Sequence, residues 1–343
     1  NGMLLSRSIR LVAAFDHRHI FIDPDPDSEA SWLERKRLFD LPRSSWDDYA
    51  KELISKGGGV YPRTEKSITL SKEARSALGV EQAEFDPESL ISAILKAPAD
   101  LLWFGGIGTY VKAASQNNAE VGDPANDALR VDAEDLRVKA VGEGANLGTT
   151  QAARIAFSAK GGRINTDFID NSAGVDCSDN EVNIKIALNR EMAEGRLSQD
   201  DRDALLVRMT DNVSELVLED NRLQALALSI AEKGGSAAVP SLVRIMETFE
   251  ASGRLDRKVE GLAANDELMR RAAEGRGLTR PELAVLLSTA KLALQDAIEH
   301  SDLSNDPALG SDLAAAFPDE MQRDFGQAIA DHQLRREIIA TKI

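Results

Sequence analysis

Several stretches of the first half of the chain combine glycine, amide and acidic residues in spacings that could do chemistry. The segment after Asn1-Gly2, MLLSRSIRLVAAF, has helical spacing, and the apolar run IFID that follows ends in Asp23, 21 positions after Gly2. A glycine turn that meets a pyrophosphate at a helix N-terminus, followed about 20 residues later by an acid on the ribose hydroxyls, is the spacing of a dinucleotide site. An acid at that point repels a 2′-phosphate, which favours NAD over NADP. One glycine is a thin fingerprint, and Asp-Pro pairs also start turns.

FGGIGTY, residues 104–110, is a second glycine loop after an apolar run. Main chain without a Cβ at Gly105 and Gly106 lets a ligand approach closely, and the same glycines serve a tight turn. GEGANLGTT, residues 142–150, places Glu143 and Asn146 between glycines at the end of another apolar run. A side-chain amide both donates and accepts, as a nicotinamide carboxamide requires; the bland alternative is an Asn satisfying its own turn. In DNSAGVDCSDNEVN, residues 170–183, small and hydroxyl residues precede an expected helix whose first turn carries Asp179 and Glu181. Donors there could hold a carboxylate, or Ser178 could simply cap the helix.

Other single residues point to packing. His17 and His19 stand two apart, wrong for an i, i+4 metal pair, and His300 and His332 are remote in sequence, so all four read as surface or loop histidines and no metal site is expected. Cys177 has no histidine near it in sequence and reads as a small buried thiol. Trp32, Trp46 and Trp103 read as core or edge packing.

The elements that would position these residues fall into two halves. From residue 1 to about 188, short apolar runs (IFID, DLLWF, VKAVG, RINTDFID) end in small or polar residues and alternate with helical stretches. That is α/β grammar, with strand carboxyl ends facing a crevice in a mostly parallel, Rossmann-like sheet with flanking helices. Asp86-Pro87 supplies a cap and a first-turn proline for PESLISAILK, and Thr149 or Thr150 can cap QAARIAFSAK. Residues of about 32–78 fit the alternation poorly. They read as two helices, a glycine turn, a short strand and a helix inserted at one edge of the sheet, and residues 115–135 read as a long loop. From 189 to 343 the apolar residues keep helical spacing and Ser198 and Thr279 mark starts, so this half is an all-helical domain. Both ends look cut: Asn1-Gly2 opens without a targeting signal, and the last amphipathic pattern meets no stop residue. The expectation is a piece of a longer polypeptide.

Composition narrows the classes. The chain has 343 residues, 43 % hydrophobic and 29 % charged, which is globular and long enough for two or three domains. No apolar run is long enough to span a membrane. Acidic residues outnumber basic ones 57 to 41, giving a net charge of -16 that repels a phosphate backbone, so nucleic acid is not an expected partner. A single cysteine excludes a disulfide framework within the chain and fits a reducing cytoplasm.

Two of these stretches carry a resemblance. GEGAN-x-x-TT, then D-x-x-DN-x-AGV-x-x-S about 20 residues on, is similar to the EGAN-x-x-TT and N-A-G-G-V-x-x-S segments of the glutamate dehydrogenase family. LLSRSIRLVAAFDHRHIFIDPDPD, LLWFGGIGTY and GLTRPELAVLLSTAKLAL resemble its large, multi-domain, NAD-specific bacterial class, so nearly all of the chain is covered. In that class a GDVFGNG stretch precedes MLLS, and Asn1-Gly2 would be its tail.

The resemblance implies that Asp23 holds the adenosine ribose and that Gly105 and Gly106 line the cofactor crevice. Asn146 and Asn171 match amides near the nicotinamide, and Ser178 matches a hydroxyl that binds a substrate carboxylate. Ser172-Ala173 departs from the family's Ala-Gly, and Asp176 would have to point away from an anionic substrate. The family's catalytic lysine and aspartate lie upstream, so no catalytic residue is expected here; Lys112, Lys139, Lys160 and Lys185 read as solvated surface. The implied function is the NAD-binding portion of an enzyme that converts L-glutamate to 2-oxoglutarate and ammonia, a homo-oligomer when full-length, with this segment silent alone. The other class is a regulatory or assembly segment, Rossmann-like but without nucleotide.

Overall fold

Alternating burial, not helical spacing, governs the start of the chain. The structure is a computed structural model that describes residues 6–342; Gly2 lies outside the described residues. Residues 6–12 are not helical, and β1 (Ala13–Phe15), β2 (His19–Ile22) and β3 (Gly59–Pro62) form an antiparallel sheet in that order. Ala13, Phe15, Ile20, Ile22 and Tyr61 pack into the main core, while Ala14, Phe21 and Val60 turn to a smaller cluster with Leu38 and Tyr49. This period of two buries both faces, which outweighs the helical spacing read in MLLSRSIRLVAAF. It also takes IFID out of the parallel sheet expected for it.

The stretch expected as an edge insertion supplies β3. It opens with α1 (Ser28–Asp40), capped by Asp27, which accepts from Ala30 N at 2.8 Å. The second expected helix is only two 3₁₀ turns, Trp46–Asp48 and Lys51–Leu53. After β4 (Ile68–Thr69) come α2 (Lys72–Leu78), β5 (Glu84–Phe85), which pairs with β4, and α3 (Pro87–Leu95). Asp86 caps α3 as its Asp-Pro pair requires, accepting from Ser89 N at 2.9 Å.

Parallel pairing begins with β6 (Leu101–Phe104). Residues 105–139, expected in part to be a long loop, carry β7 (Val111–Lys112), α4 (Asn118–Val121) and β8 (Val131–Asp132), and β7 and β8 are themselves parallel. Then β9 (Ala140–Glu143), α5 (Gln151–Ala159) and β10 (Arg163–Ile164) make a strand–helix–strand unit, and β10, β9 and β6 form one parallel sheet in that order. Thr150 caps α5, accepting from Ala153 N at 3.2 Å, and Ala153 and Phe157 seat α5 on the core. RINTDFID is a strand only at its start, for α6 (Asp167–Asp170) takes its end.

The chain forms two compact units that divide between Asp167 and Phe168, so the boundary expected near 188 falls inside a continuous helix, α7 (Ser172–Ala193). The second unit continues with α8 (Gln199–Arg208), α9 (Thr210–Glu232), α10 (Gly235–Ala251), α11 (Asn265–Ala273) and α12 (Arg280–Glu299). The short helices α13 (Gly310–Ala315), α14 (Asp319–Asp324), α15 (Gly326–Ala330) and α16 (Arg335–Lys342) follow. Ser198 caps α8, and Thr279 with Glu282 forms a capping box on α12. One core gathers Leu228, Val239, Met246, Leu268 and Leu283–Leu286; another gathers Ile184, Leu188, Leu205, Phe317, Met321 and Ile339. Together the units give an α/β region followed by a helical region. No helix among the described residues is long and apolar enough to cross a membrane.

Candidate functional site

β6 and β9 end level, with Phe104 paired to Glu143, so the two glycine loops leave the sheet side by side at its carboxyl edge. The first loop is open. Gly105 and Gly106 are exposed, a Cβ at Gly106 would meet nothing within 4 Å, and Ile107 is 93 % exposed. Its return is anchored: Thr109 N donates to Asp123 Oδ2 at 2.8 Å, and the buried Arg130 donates to the Thr109 carbonyl at 2.9 Å. The Thr109 amide, then the Asn126 side chain, hold the Asp123 carboxyl below its ordinary value.

The second loop rejoins the first. Tyr110 N donates to Gly148 O at 2.9 Å, Thr149 bridges to Val111, and Thr150 N donates to Val111 O at 3.0 Å. Two of its glycines are there for packing. A Cβ on Gly144 would stand 2.2 Å from Trp103 Cζ2, and one on Gly148 would stand 2.8 Å from Phe104 Cγ. Asn146, between them, is exposed, and its side chain is not spent on its own turn among the described residues.

Beneath this loop lies a buried ion network that the reading of the sequence missed. Glu143, 0 % exposed, accepts from Arg154 Nε at 2.6 Å and Nη2 at 2.9 Å, and also from Thr149 N at 2.9 Å. Arg154 Nη2 also lies 3.1 Å from Asp167 Oδ1, and Asp167 Oδ2 accepts from Leu147 N at 2.9 Å. Burial pushes the Glu143 carboxyl up from its ordinary value while Arg154 pulls against it. Burial also works against the guanidinium charge, and Glu143 and Asp167 outweigh it. The available signal was charge at core positions: Glu143 falls on the Val141 face of β9, and Arg154 neighbours the core residue Ala153 on α5.

Asp23 is placed differently from the exposed acid expected of a ribose site. It is 0 % exposed, and Ser55 donates to its Oδ1 through both hydroxyl and amide. Asp23 N bonds Val12 O, whereas the end of that sheet touching the glycine loops is the opposite one, where Phe15 meets Tyr110 at 5.5 Å. Its Oδ2 is nevertheless a buried carboxylate oxygen without a hydrogen-bond partner among the described residues. The structure therefore brings Gly105, Gly106 and Asn146 together and leaves Asp23 apart from them.

Asn171 and Ser178 belong to the helical unit. Asn171 is half-buried at the start of α7 and makes no side-chain cap. Ser178 does not begin a helix: α7 already runs from Ser172, and the Ser178 hydroxyl donates to Gly174 O at 3.3 Å. The amides near Asp179 and Glu181 are thus inside a helix, where intrahelical bonds use them, and the expected donor cluster is not formed. Ser172 Oγ instead accepts from Asn221 Nδ2 at 2.8 Å, tying α7 to α9. Asp176 lies along its own helix, accepting from Asn180 Nδ2 at 3.0 Å.

Three smaller expectations are corrected. Cys177 is exposed: it lies on the same face of α7 as Ile184 and Leu188, but burial along that helix begins only at Ile184. His332 is buried, with Nε2 against Asn183 O and Nδ1 accepting from Leu334 N, each at 3.0 Å, so it serves as a turn fastener in the core. Lys112 is largely buried against Asp132 and is not surface solvation.

Residues 1–231 match the model of the family described as "Bacterial NAD-glutamate dehydrogenase, catalytic domain". The chain belongs to this family. Residues 275–343 match a second description, "Glutamate dehydrogenase, C-terminal". The chain is 50 % identical over 343 residues to the NAD-specific glutamate dehydrogenase of Pseudomonas aeruginosa, covering all of itself and 21 % of that protein. It is 48 % identical to the proteins of the same name from Halomonas elongata, of which it covers 21 %, and Mycobacterium tuberculosis, of which it covers 22 %. It therefore spans about a fifth of the length of the family members it matches.

Proposed function

We propose that this chain is the NAD-binding portion of a glutamate dehydrogenase, with a Rossmann-like sheet region, and that it does not turn over glutamate alone. The observation that carries the reading is Asn146: an exposed amide with its donors and acceptor unspent among the described residues, on a loop fastened beside the open main chain of Gly105 and Gly106. Bare backbone and one oriented amide at the carboxyl edge of parallel strands suit a dinucleotide. Asp23 Oδ2, buried and without a donor among the described residues, is the acceptor that this reading assigns to a ribose hydroxyl.

NAD, when bound, supplies the hydride acceptor for the Cα hydrogen of L-glutamate, the route to 2-oxoglutarate and ammonia. The chain's part is to hold the carboxamide through Asn146 and to let the cofactor approach over Gly105 and Gly106. Silence of the isolated chain follows from its lysines. Lys112 is engaged by Asp132, Lys139 by Asp100 at 2.7 Å and Lys160 by the Glu134 carbonyl, which leaves none of these at the edge to move a proton. In the full-length protein, which we take to be a cytoplasmic homo-oligomer, those groups would come from elsewhere.

Calorimetry of the purified chain with NAD and a glutamate-dependent NADH assay test this reading. Heat of binding at a Kd of about 1 mM, roughly -4 kcal/mol, with no NADH formed is the expected result. The burial of Asp23 favours the competing class, a regulatory or assembly segment without nucleotide. No heat at high millimolar NAD would establish that class, and readily measured NADH would refute the silence.

A further inference from the structure

The loop that carries Asn146 is exposed, yet it is fastened from below at three points. Its start, Glu143, holds Arg154 through both carboxylate oxygens, at 2.6 and 2.9 Å. Its exit, Thr149, donates its N–H to the same Glu143 carboxylate at 2.9 Å. Its apex is held by Asp167, whose Oδ2 accepts from Leu147 N at 2.9 Å while Oδ1 stands 3.1 Å from Arg154 Nη2. Glu143, Arg154 and Asp167 are all buried, so these bonds act where water does not compete.

Leu147 sits at φ +60°, a left-handed conformation that L side chains avoid and that glycine or asparagine would adopt more readily. Most of its side chain is in solvent, so packing does not impose this conformation. The Asp167 carboxylate is the group that receives the N–H which the left-handed turn points inward.

From this geometry we infer that Asp167, oriented by Arg154, is a positioning residue that fixes the rotation of the loop at Leu147 and so aims the Asn146 amide. The assignment rests on the reading that Asn146 holds the nicotinamide carboxamide. It makes Asp167 and Arg154 determinants of cofactor placement although neither touches the cofactor. A loop that is competent only part of the time weakens apparent affinity by that fraction, so the effect falls on NAD and not on glutamate.

The test uses the full-length enzyme. Asp167→Ala removes the acceptor, and Asp167→Asn keeps an oxygen for Leu147 N. We expect the KM for NAD to rise about tenfold in Asp167→Ala with the KM for glutamate unchanged, and to rise by less in Asp167→Asn, whose single oxygen serves Leu147 N only by turning its NH2 toward Arg154. In an Asn146→Ala background, Asp167→Ala should add no further loss, since aiming an amide that is absent has no value. If Asp167→Ala does not fold, Arg154→Lys keeps a counter-charge for Glu143 while removing the guanidinium arm that orients Asp167, and should raise the NAD KM alone. Losses from Asp167→Ala and Asn146→Ala that add in the double variant, or an NAD KM that Arg154→Lys leaves unchanged, overturn the positioning role while the reading of Asn146 stands. An unchanged NAD KM in Asn146→Ala by itself overturns that reading, and the assignment falls with it.

Discussion

Glu143 and Arg154 meet as a fully buried two-point ion pair, one at the end of a strand and the other on the helix that follows the loop between them. The pair closes the loop covalently spanned by residues 144–150 with a second, electrostatic link. Removing the guanidinium alone leaves a buried carboxylate facing Asp167 and the Thr149 amide with no counter-charge. Arg154→Met should therefore lower stability by about 3–5 kcal/mol, read as a drop in denaturant midpoint of the isolated chain. A loss under about 1 kcal/mol would mean that the pair is solvated and does not hold the loop.

Gly144 lies against the flat of Trp103. The ring is clamped by a second glycine, since a Cβ on Gly142 would stand 2.6 Å from Trp103 Cε3, so it cannot slide away from one glycine without meeting the other. Gly144→Ala should cost about 1–3 kcal/mol by overpacking, and Trp103→Leu in the same chain should recover part of it. Equal melting temperatures for Gly144→Ala and the parent would show the ring to be mobile.

Much of this edge was legible before any coordinates. DLLWF meets its glycine where its strand ends and VKAVG one residue before, and Asp86 and Thr150 cap the helices their neighbours announce, because caps and turn glycines are local chemistry. What was not legible depends on partners far along the chain. The helical spacing read in MLLSRSIRLVAAF yields, at its last three residues, to an antiparallel pairing in which Ala13 faces Ile22. Ser178 looks like a cap until Asn221, on another helix, is seen to fasten Ser172 and start α7 earlier. Arg154 and Asp167 carry no local sign of their partners; only the fold brings Arg154 to Glu143 and Asp167 to Leu147.

Leu147 carries backbone strain that a different side chain would relieve. It is 62 % exposed, so replacing it forfeits little burial. Asn adopts the left-handed region at smaller cost, and its N–H remains available to Asp167. Leu147→Asn should stabilise the chain by about 1 kcal/mol, measured by thermal or denaturant unfolding. A destabilised variant would show that Leu147 makes apolar contacts worth more than its strain.

Asp176, on α7 of the helical unit, is raised above the ordinary carboxyl value, first by burial and then by Asp220 and Asp179, with Lys342 and Lys291 opposing. Its Oδ1 is satisfied by Asn180, but Oδ2 is buried without a donor among the described residues. A carboxyl whose folded value lies above its unfolded value favours the protonated fold, so the ionised group costs stability as pH rises from about 4 through the folded value. Asp176→Asn removes that cost and supplies a donor in place of the unsatisfied oxygen. At pH 7 the variant should be more stable by about 0.5 kcal/mol, a gain kept small by solvent screening. The gain should fade at pH 3, where the parent carboxyl is protonated in both states. Denaturant melts at the two pH values decide it: a gain at pH 3 equal to that at pH 7 would mean that shape or hydrogen bonding, and not charge, sets the effect at this position.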